Sequence, residues 1–344
     1  MHNVAETGGS IAEWQAEFQA ALDWFETDKP LLILTHHDAD GLTSAAILKK
    51  GFDQLPRAAQ VRILGRGENP WTESIQLELL EREVGGLVVV DLGVRPGVIK
   101  HDTPTLLMDH HYPLGNPPGA TVITGYGTNP TPTSALLAYW CMRSLVDVED
   151  LLWLVGISII GDMEEKSGFQ EFTFAKERYG VTAMREATSL LNAARRASSG
   201  NAQPAFDLLM KASGPKEVTS GKFPETQVLL DARAEVAAAL QAARRVAPKI
   251  KENVALILFD SPCQIHPLIA QQWKDRLHKN VVIAANRGYR PGWVHFSVRS
   301  ATGLNLIDFL KERAPAAADE NYGSGHIQAT GGALRSLLPG WDSA

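Results

Sequence analysis

Residues 31–50 read LLILTHHDADGLTSAAILKK, and the order of residue types in this stretch decides the fold class. Leu31 to Leu34 is an apolar run of strand length. The chain then turns through Thr35, His36, His37, Asp38, Ala39, Asp40 and Gly41 and enters an Ala-rich helical pattern from Leu42. A strand that ends in a carboxylate-rich turn and leads into a helix is an α/β ligand site, because ligands bind beyond the carboxyl ends of such strands. Alternation places His36, Asp38 and Asp40 on one side of the turn. Two acids and an imidazole held together there repel or lose hydration unless a cation joins them. The competing reading is structural: Asp40 and Gly41 cap a helix beside a solvated turn.

Working outward, Val61 to Leu64 is a second strand and Thr72 to Glu83 a helix. Leu87 to Val90 is an apolar run ending in Asp91, and Leu106 to Met108 another ending in Asp109, His110 and His111. Short apolar strands alternating with helical stretches predict a mostly parallel sheet covered on both faces. Pro113, Pro117, Pro118, Pro130 and Pro132 mark a long loop. Helices follow over Ser134 to Leu145 and Val148 to Ile160, the second leading through Gly161 to Asp162. A strand-end Asp is ordinarily a cap, and the histidine pair before Tyr112 and Pro113 fits a plain turn. Four acid or histidine clusters at element ends are a different matter, since such ends converge on one edge of the sheet.

Upstream, Ser10 and Glu13 form a capping-box pattern, with Trp14, Phe18, Leu22 and Phe25 on one helical face. Downstream, Ala175 to Ala197 reads as a polar helix. Gly and Pro residues between Ser198 and Thr226 mark the expected interdomain connection, and a long helix follows from Thr226 to Val246. A second α/β pattern has strands at Val254 to Phe259, Val281 to Ala285 and Trp293 to Val298, and helices at Leu268 to Leu277 and Asn305 to Arg313. It closes on YGSGHIQATGGAL at 322–334. The expected division is 1–197, a linker and helix at 198–250, and a smaller mixed α/β domain at 251–344.

The chain has 344 residues, enough for about two domains with full cores. A net charge of -6 argues against coating long nucleic acid through a basic surface, although a local basic groove stays compatible with it. No apolar run reaches the ~20 residues of a membrane span. The N-terminus lacks the basic and apolar regions of a signal peptide, so the expected location is cytoplasmic. Cys141 and Cys263 lack a metal-type spacing and are expected as free thiols.

The motifs HHDADG, VVVDLG, MDHH, GISIIGD and GSGHIQATGG, in this order across nearly the whole chain, resemble the DHH phosphoesterase family, which is named after the run matched by Asp109-His110-His111. The resemblance implies an N-terminal catalytic domain, a smaller DHH-associated domain, an active site in the cleft between them, and two divalent ions, typically Mn2+ with Mg2+ as a substitute. His36, Asp38 and Asp91 would hold one ion. Asp40, Asp91, His110 and Asp162 would hold the other, so that Asp91 bridges. Four carboxylates balance two divalent cations, and a mixed oxygen and imidazole set suits manganese. Two such ions about 4 Å apart can activate a shared hydroxide and clamp the transferring phosphoryl group. Asp109 would orient a histidine, and His111 would face the scissile phosphate. His37, adjacent to His36, is left for the core or solvent.

The second domain would hold substrate. Gly323, Ser324 and Gly325 let backbone approach an anion, His326 can donate to a phosphate oxygen, and Gly331 and Gly332 complete the motif. The family usually has an all-glycine loop where Ser324 stands. Arg299 matches the family's phosphate-binding arginine, whose fork suits that task. Arg287 and Arg290 flank a nearby turn and could extend the grip, or be solvated surface. Trp293 and Tyr322 could stack on a base or simply pack.

The implied activity is a manganese-dependent phosphodiesterase, an exonuclease of RecJ or nanoRNase type on single-stranded RNA or DNA or on short oligonucleotides. One alternative is a phosphatase or phosphodiesterase of a small metabolite such as a cyclic dinucleotide, 3'-phosphoadenosine 5'-phosphate or pyrophosphate. Pyrophosphatase relatives carry a different C-terminal domain. A non-catalytic nucleic-acid-binding scaffold is the third reading, and a homodimer stays open.

Overall fold

In the computed structural model, residues 9–319 and 322–335 are described. They form two compact units, one from the chain up to 195 together with 201–230, the other from 196–200 together with 231 onward.

The first unit is built on five strands, β1 (Leu31–Thr35), β2 (Ala59–Ile63), β3 (Gly86–Val90), β4 (Thr105–Asp109) and β5 (Ala120–Thr124). They lie in the order β2-β1-β3-β4-β5, and every neighbouring pair is parallel. Strands buried on both faces need apolar residues at successive positions, which is why LLIL and LVVV read as unbroken runs. Side chains still alternate. Ile33, Val88, Val90, Leu106 and Met108 enter one core, while Leu32, Leu34, Leu87, Val89 and Leu107 enter the other.

The first core is closed by α1 (Ile11–Asp23) and α2 (Ala39–Phe52); the second is closed by α3 (Glu73–Leu80), through Ile75 and Leu79. Next come α4 (Ser134–Met142), α5 (Leu152–Gly161), α6 (Gln170–Tyr179), α7 (Val181–Arg196), α8 (Gln203–Lys211) and α9 (Pro215–Thr219). The first helix begins at the expected capping box, with Ser10 and Glu13 exchanging hydrogen bonds.

In the first unit, three stretches differ from the sequence reading. The proline-rich loop contains β5, a short edge strand whose ATVIT sequence is obscured by flanking prolines and glycines. The single polar helix expected to 197 breaks at Gly180, whose φ of +81° favours glycine, giving α6 and α7. Residues 201–230 are no open connection: Leu208 and Leu209 of α8 and Val218 of α9 are buried in the first unit's core.

The long helix α10 (Pro224–Ala243) runs from the first unit into the second. The second unit contains β6 (Lys249–Lys251), β7 (Val254–Phe259), α11 (His266–Arg276), β8 (Val281–Arg290), β9 (Trp293–Ser300), α12 (Leu306–Lys311), β10 (Ser324–His326) and β11 (Ala329–Arg335). Its sheet runs β10-β11-β9-β8-β7-β6, mixed in direction because only β7 and β8 are parallel. The terminal glycine-rich segment is thus a hairpin rather than a bare loop. Ile269 and Ala270 of α11 pack with Ala255, Ile257, Val282 and Ala284, and Leu306 and Leu310 of α12 with Val281, Phe296 and Val298. No helix among the described residues is long and apolar enough to cross a membrane.

Phe18 is fully buried in the first core, whereas Trp24, just past the end of the same helix, is 80% exposed. Phe18→Ala should therefore cost about 3–5 kcal/mol and Trp24→Ala less than about 0.5 kcal/mol, read from denaturant midpoints of the intact protein.

Candidate metal centre

The strand order reverses at β1, which has β2 on one side and β3 on the other. That switch point opens a crevice at the carboxyl ends of β1 and β3. Thr35 pairs with Val90 at those ends, so His36 and Asp91 are the next residues on neighbouring strands. His36 Nδ1 lies 3.1 Å from Asp38 Oδ1 and 3.4 Å from Asp91 Oδ2. One strand further on, β4 delivers His110, whose Nε2 is 3.6 Å from Asp91 Oδ1, 3.7 Å from Asp40 Oδ2 and 3.5 Å from Asp162 Oδ2.

Potential ligand atoms of His36, Asp38 and Asp91 lie within 4.8 Å of one another, as do those of Asp40, His110 and Asp162. Asp91 also groups with His110 and His111 and so stands between both sets. The six residues expected at the metals are thus brought together. Asp91 adopts a φ of +59°, a left-handed conformation that Asp tolerates better than most residues with a side chain.

Local structure explains each placement. Asp38 is the N-cap of α2 and accepts from Gly41 N–H at 3.2 Å, so the helix-cap reading and the ligand reading meet in one residue, Asp38 rather than Asp40. Gly41 is required because a Cβ there would stand 2.6 Å from the His36 carbonyl oxygen. Asp40, buried in the first turn of α2, accepts from the N–H groups of Ser134 and Ala135 at the start of α4, both at 2.9 Å, and from Ser158 Oγ at 2.6 Å. Ser134 Oγ also donates to Asp91 Oδ1 at 3.1 Å. Asp109 serves His111: its Oδ1 accepts from His111 N–H at 2.7 Å and lies 3.0 Å from His111 Nδ1, while Oδ2 accepts from Gly93 N–H. His37 turns away, its Nδ1 on the Leu64 carbonyl at 2.9 Å.

Ser134, Ser158, Asn192 and Arg195 are neighbours of the cluster that the sequence reading does not single out. Asn192 Oδ1 accepts from Ala39 N–H and from Arg195 Nε, and Arg195 reaches Asp38 at 3.8 Å. A serine inside the apolar GISIIGD helix was a usable signal. Asn192 and Arg195 on a polar helix carried none.

The charges are unbalanced in an informative way. Burial opposes ionisation of Asp38, but His36, Arg195 and the Gly41 N–H outweigh it and hold its pKa well below the carboxylate range. Asp40, two residues later, is pushed up to about 7 by burial and then by Asp91, and burial and Asp40 raise Asp162 well above its ordinary value. Burial works against the imidazolium of His36, yet Asp38 and Asp91 lift it to about 10. His110 is likewise raised well above its usual value, burial notwithstanding, by Asp91, Asp162 and Asp40. Asp162 Oδ2 is buried and accepts no hydrogen bond from the described residues. Hard oxygens mixed with imidazole nitrogens, crowded enough to trap protons and with one carboxylate oxygen unsatisfied, fit divalent cations of the manganese or magnesium type.

In the second unit, Arg299 at the end of β9 is half-buried. Its Nη1 donates to the Val298 and Thr330 carbonyls, and its Nε is sealed from solvent without a partner among the described residues. Gly331 meets β9 so closely that a Cβ would stand 2.4 Å from the Phe296 carbonyl oxygen. Gly323 has a φ of +73°. Gly332 pairs with Phe296 in β9. Ser324, Gly325 and His326 form β10 opposite β11, but their side chains lie outside the described residues. Arg287 forks onto Asp260, with Nε–Oδ1 at 3.1 Å and Nη2–Oδ2 at 2.6 Å. Arg290 and Arg335 both lie over the Trp293 ring, and Tyr322 packs on Phe296.

No protein-family model matches the sequence, and a comparison with curated proteins also finds no match. Solved structures do match. The crystal structure of exonuclease RecJ bound to manganese superposes with a TM-score of 0.64 at 18% identity, over 96% of this chain and 92% of that one. RecJ from Thermus thermophilus in complex with Mn2+ gives 0.67 at 17% identity, over 96% of this chain but 53% of its own. The DHH domain of a member of a ribosomal protein family gives 0.66 at 15%, over 97% and 90%. The fold is that of RecJ and the DHH-domain proteins. This chain spans about half the length of the Thermus RecJ chain and nearly all of the other two.

Because Asp40 and His110 hold protons near neutrality, a cation must displace them, and affinity falls as pH drops. Mn2+ binding should weaken more than about tenfold from pH 8 to pH 6 and release protons, measured by calorimetry in buffers of different ionisation enthalpy. Affinity independent of pH would remove Asp40 and His110 from the site.

Proposed function

We propose that this chain is a divalent-metal-dependent phosphoesterase, and more narrowly a manganese-dependent phosphodiesterase that shortens single-stranded RNA or DNA or short oligonucleotides as an exonuclease. The observation that carries this reading is the pair of ligand sets, His36/Asp38 and Asp40/His110/Asp162, arranged about Asp91. When bound, two divalent ions would supply activation of water at neutral pH and neutralise charge on the phosphoryl group. Around them the chain's own residues have separable tasks. Asp91 faces both sets and would be shared. Asp109 fixes the orientation of His111, whose ring is partly exposed beside the cluster and would donate to a phosphate oxygen.

Arg299, whose Nη1 meets two neutral carbonyls and which has no carboxylate partner among the described residues, would take a substrate phosphate, together with the hairpin of Gly323, Ser324, Gly325, His326, Gly331 and Gly332. Arg287 is engaged by Asp260 and Arg290 by Trp293, so they extend this grip only by exchanging those contacts. A net charge of -6 favours substrates of a few nucleotides over long strands. Hydrolysis of a small nucleotide, such as a cyclic dinucleotide or 3'-phosphoadenosine 5'-phosphate, is the second reading, since it uses the same metal set. A non-catalytic scaffold is disfavoured because all six ligand positions are filled.

The deciding experiment is a substrate panel with Mn2+ or Mg2+, comparing dinucleotides, longer RNA and DNA strands, cyclic dinucleotides and 3'-phosphoadenosine 5'-phosphate. Oligonucleotides should be turned over fastest. Asp91→Ala should lower turnover by more than Asp38→Ala does and should also lower bound manganese by elemental analysis. Normal metal content and rate in Asp91→Ala would refute the shared-ligand arrangement.

Arg299→Ala should retain its manganese while cleavage falls by at least about tenfold, with the loss mainly in KM. A folded Arg299→Ala protein that had lost its metals would overturn the division of labour.

A further inference from the structure

Immediately after the cluster's last histidine, the chain places an aromatic residue where the core cannot use it. Tyr112 follows His111, so their Cα atoms are about 3.8 Å apart, and it is 49% exposed. Its neighbour in space is Tyr126, with ring centroids 5.3 Å apart and planes at 86°. Tyr126 lies just beyond the carboxyl end of β5, at the same edge of the sheet as the metal cluster. Neither tyrosine belongs to a hydrophobic core of the unit.

The pair is held by the groups that hold the candidate site. Asp109 at the end of β4 is in register with Thr124 at the end of β5. Gly125 N–H donates to the Asp109 carbonyl at 2.9 Å, and Tyr126 N–H to Thr124 Oγ1 at 3.1 Å. Thr128 Oγ1 closes the turn onto the Gly125 carbonyl at 2.7 Å. Asp109 meanwhile fixes His111, whose Nδ1 is 3.9 Å from Asp91 Oδ1. Histidine and tyrosine pair are therefore anchored to one residue, Asp109. In an edge-to-face pair one ring braces the other, and each ring keeps a π face that its partner does not cover.

We propose that Tyr112, braced by Tyr126, is a stacking surface for the nucleobase next to the phosphate that is cleaved. This deepens the nuclease reading and rests on it. Every base has a π face, so such a surface grips RNA and DNA alike without reading sequence. It also supplies affinity that an acidic chain does not draw from phosphate contacts.

The test uses the full chain with Mn2+ and five-nucleotide substrates carrying a single abasic residue, moved one position at a time. With the wild-type protein, one position beside the cleaved phosphate should lower kcat/KM by about 5- to 100-fold. Tyr112→Ala should lose a similar factor on the intact substrate. Combined with the abasic residue at that position, the two losses should not multiply, whereas abasic residues elsewhere should add independently. Tyr112→Phe should keep the wild-type profile.

Losses that multiply at every position would mean that Tyr112 acts through His111, and the stacking proposal falls. It falls equally if Tyr112→Ala cleaves the intact substrate at the wild-type rate. Oligonucleotides cut without regard to abasic position overturn the stacking surface alone. A wild-type protein that hydrolyses small nucleotides but no oligonucleotide overturns the nuclease reading and this proposal together.

Discussion

Three carboxylates, from Asp40, Asp91 and Asp162, converge on the single imidazole of His110 at distances of 3.5 to 3.7 Å, and the rest of the first unit is arranged around tolerating that crowding. Asp40, Asp91 and His110 are all buried, so water cannot screen the repulsion. The fold offsets part of it. Asp40 receives two backbone N–H groups from the start of α4, where the helix dipole favours negative charge, and a hydroxyl from Ser158. Asp91 receives a hydroxyl from Ser134. What remains is carried by protons on Asp40, Asp162 and His110, and two divalent cations would carry it better.

The two ligand sets are not equivalent. Asp38 and Asp40 are two residues apart, yet their acidities move in opposite directions. Asp38 caps α2 and meets His36 and Arg195, so it remains a carboxylate without a metal ion. Asp40 lies one step inside the helix, faces Asp91 and becomes a proton carrier near neutrality. A cation held by His36, Asp38 and Asp91 would stand in for the proton that those carboxylates stabilise on the imidazole. One held by Asp40, His110 and Asp162 would compete with protons on acids that burial has made reluctant to ionise. Proton-linked binding should therefore be concentrated in the second set.

What could be read from the sequence follows the same physics. The run from Leu31 to Lys50 has only one sensible fold, and the rule that α/β ligands sit at strand carboxyl ends turns Asp91 and Asp109-His110-His111 into neighbours without a structure. Sheet order was not readable, because apolar runs such as LVVV and LLM do not state which strand they pair with. The switch point at β1 had to be seen. β5 was hidden because an edge strand needs few apolar residues, and prolines around ATVIT hid it further. Helices at 201–230 were hidden by their Gly and Pro caps, which look the same before a buried helix as in a linker. Supporting groups were the least legible: Asn192 meets Ala39 across 153 positions of sequence.

The second unit adds a charge argument that does not depend on the metals. A buried guanidinium ordinarily has a carboxylate, because desolvating an unpaired cation is expensive. Arg287 obeys this through its fork onto Asp260, and Arg290 stays exposed over Trp293. Arg299 does neither. Its Nη1 meets two carbonyls, its Nε meets nothing, and burial lowers its pKa with no acid to restore it. Among the described residues no carboxylate pairs with it. Retaining such a cation at the end of β9, against a hairpin whose Gly331 allows the backbones to close, makes sense if an anion completes it. A phosphate oxygen is the anion that a forked donor beside a glycine hairpin accommodates best. Arg299 thus differs from the paired Arg287 and the stacked Arg290 in meeting, among the described residues, carbonyl oxygens in place of a carboxylate or an aromatic ring.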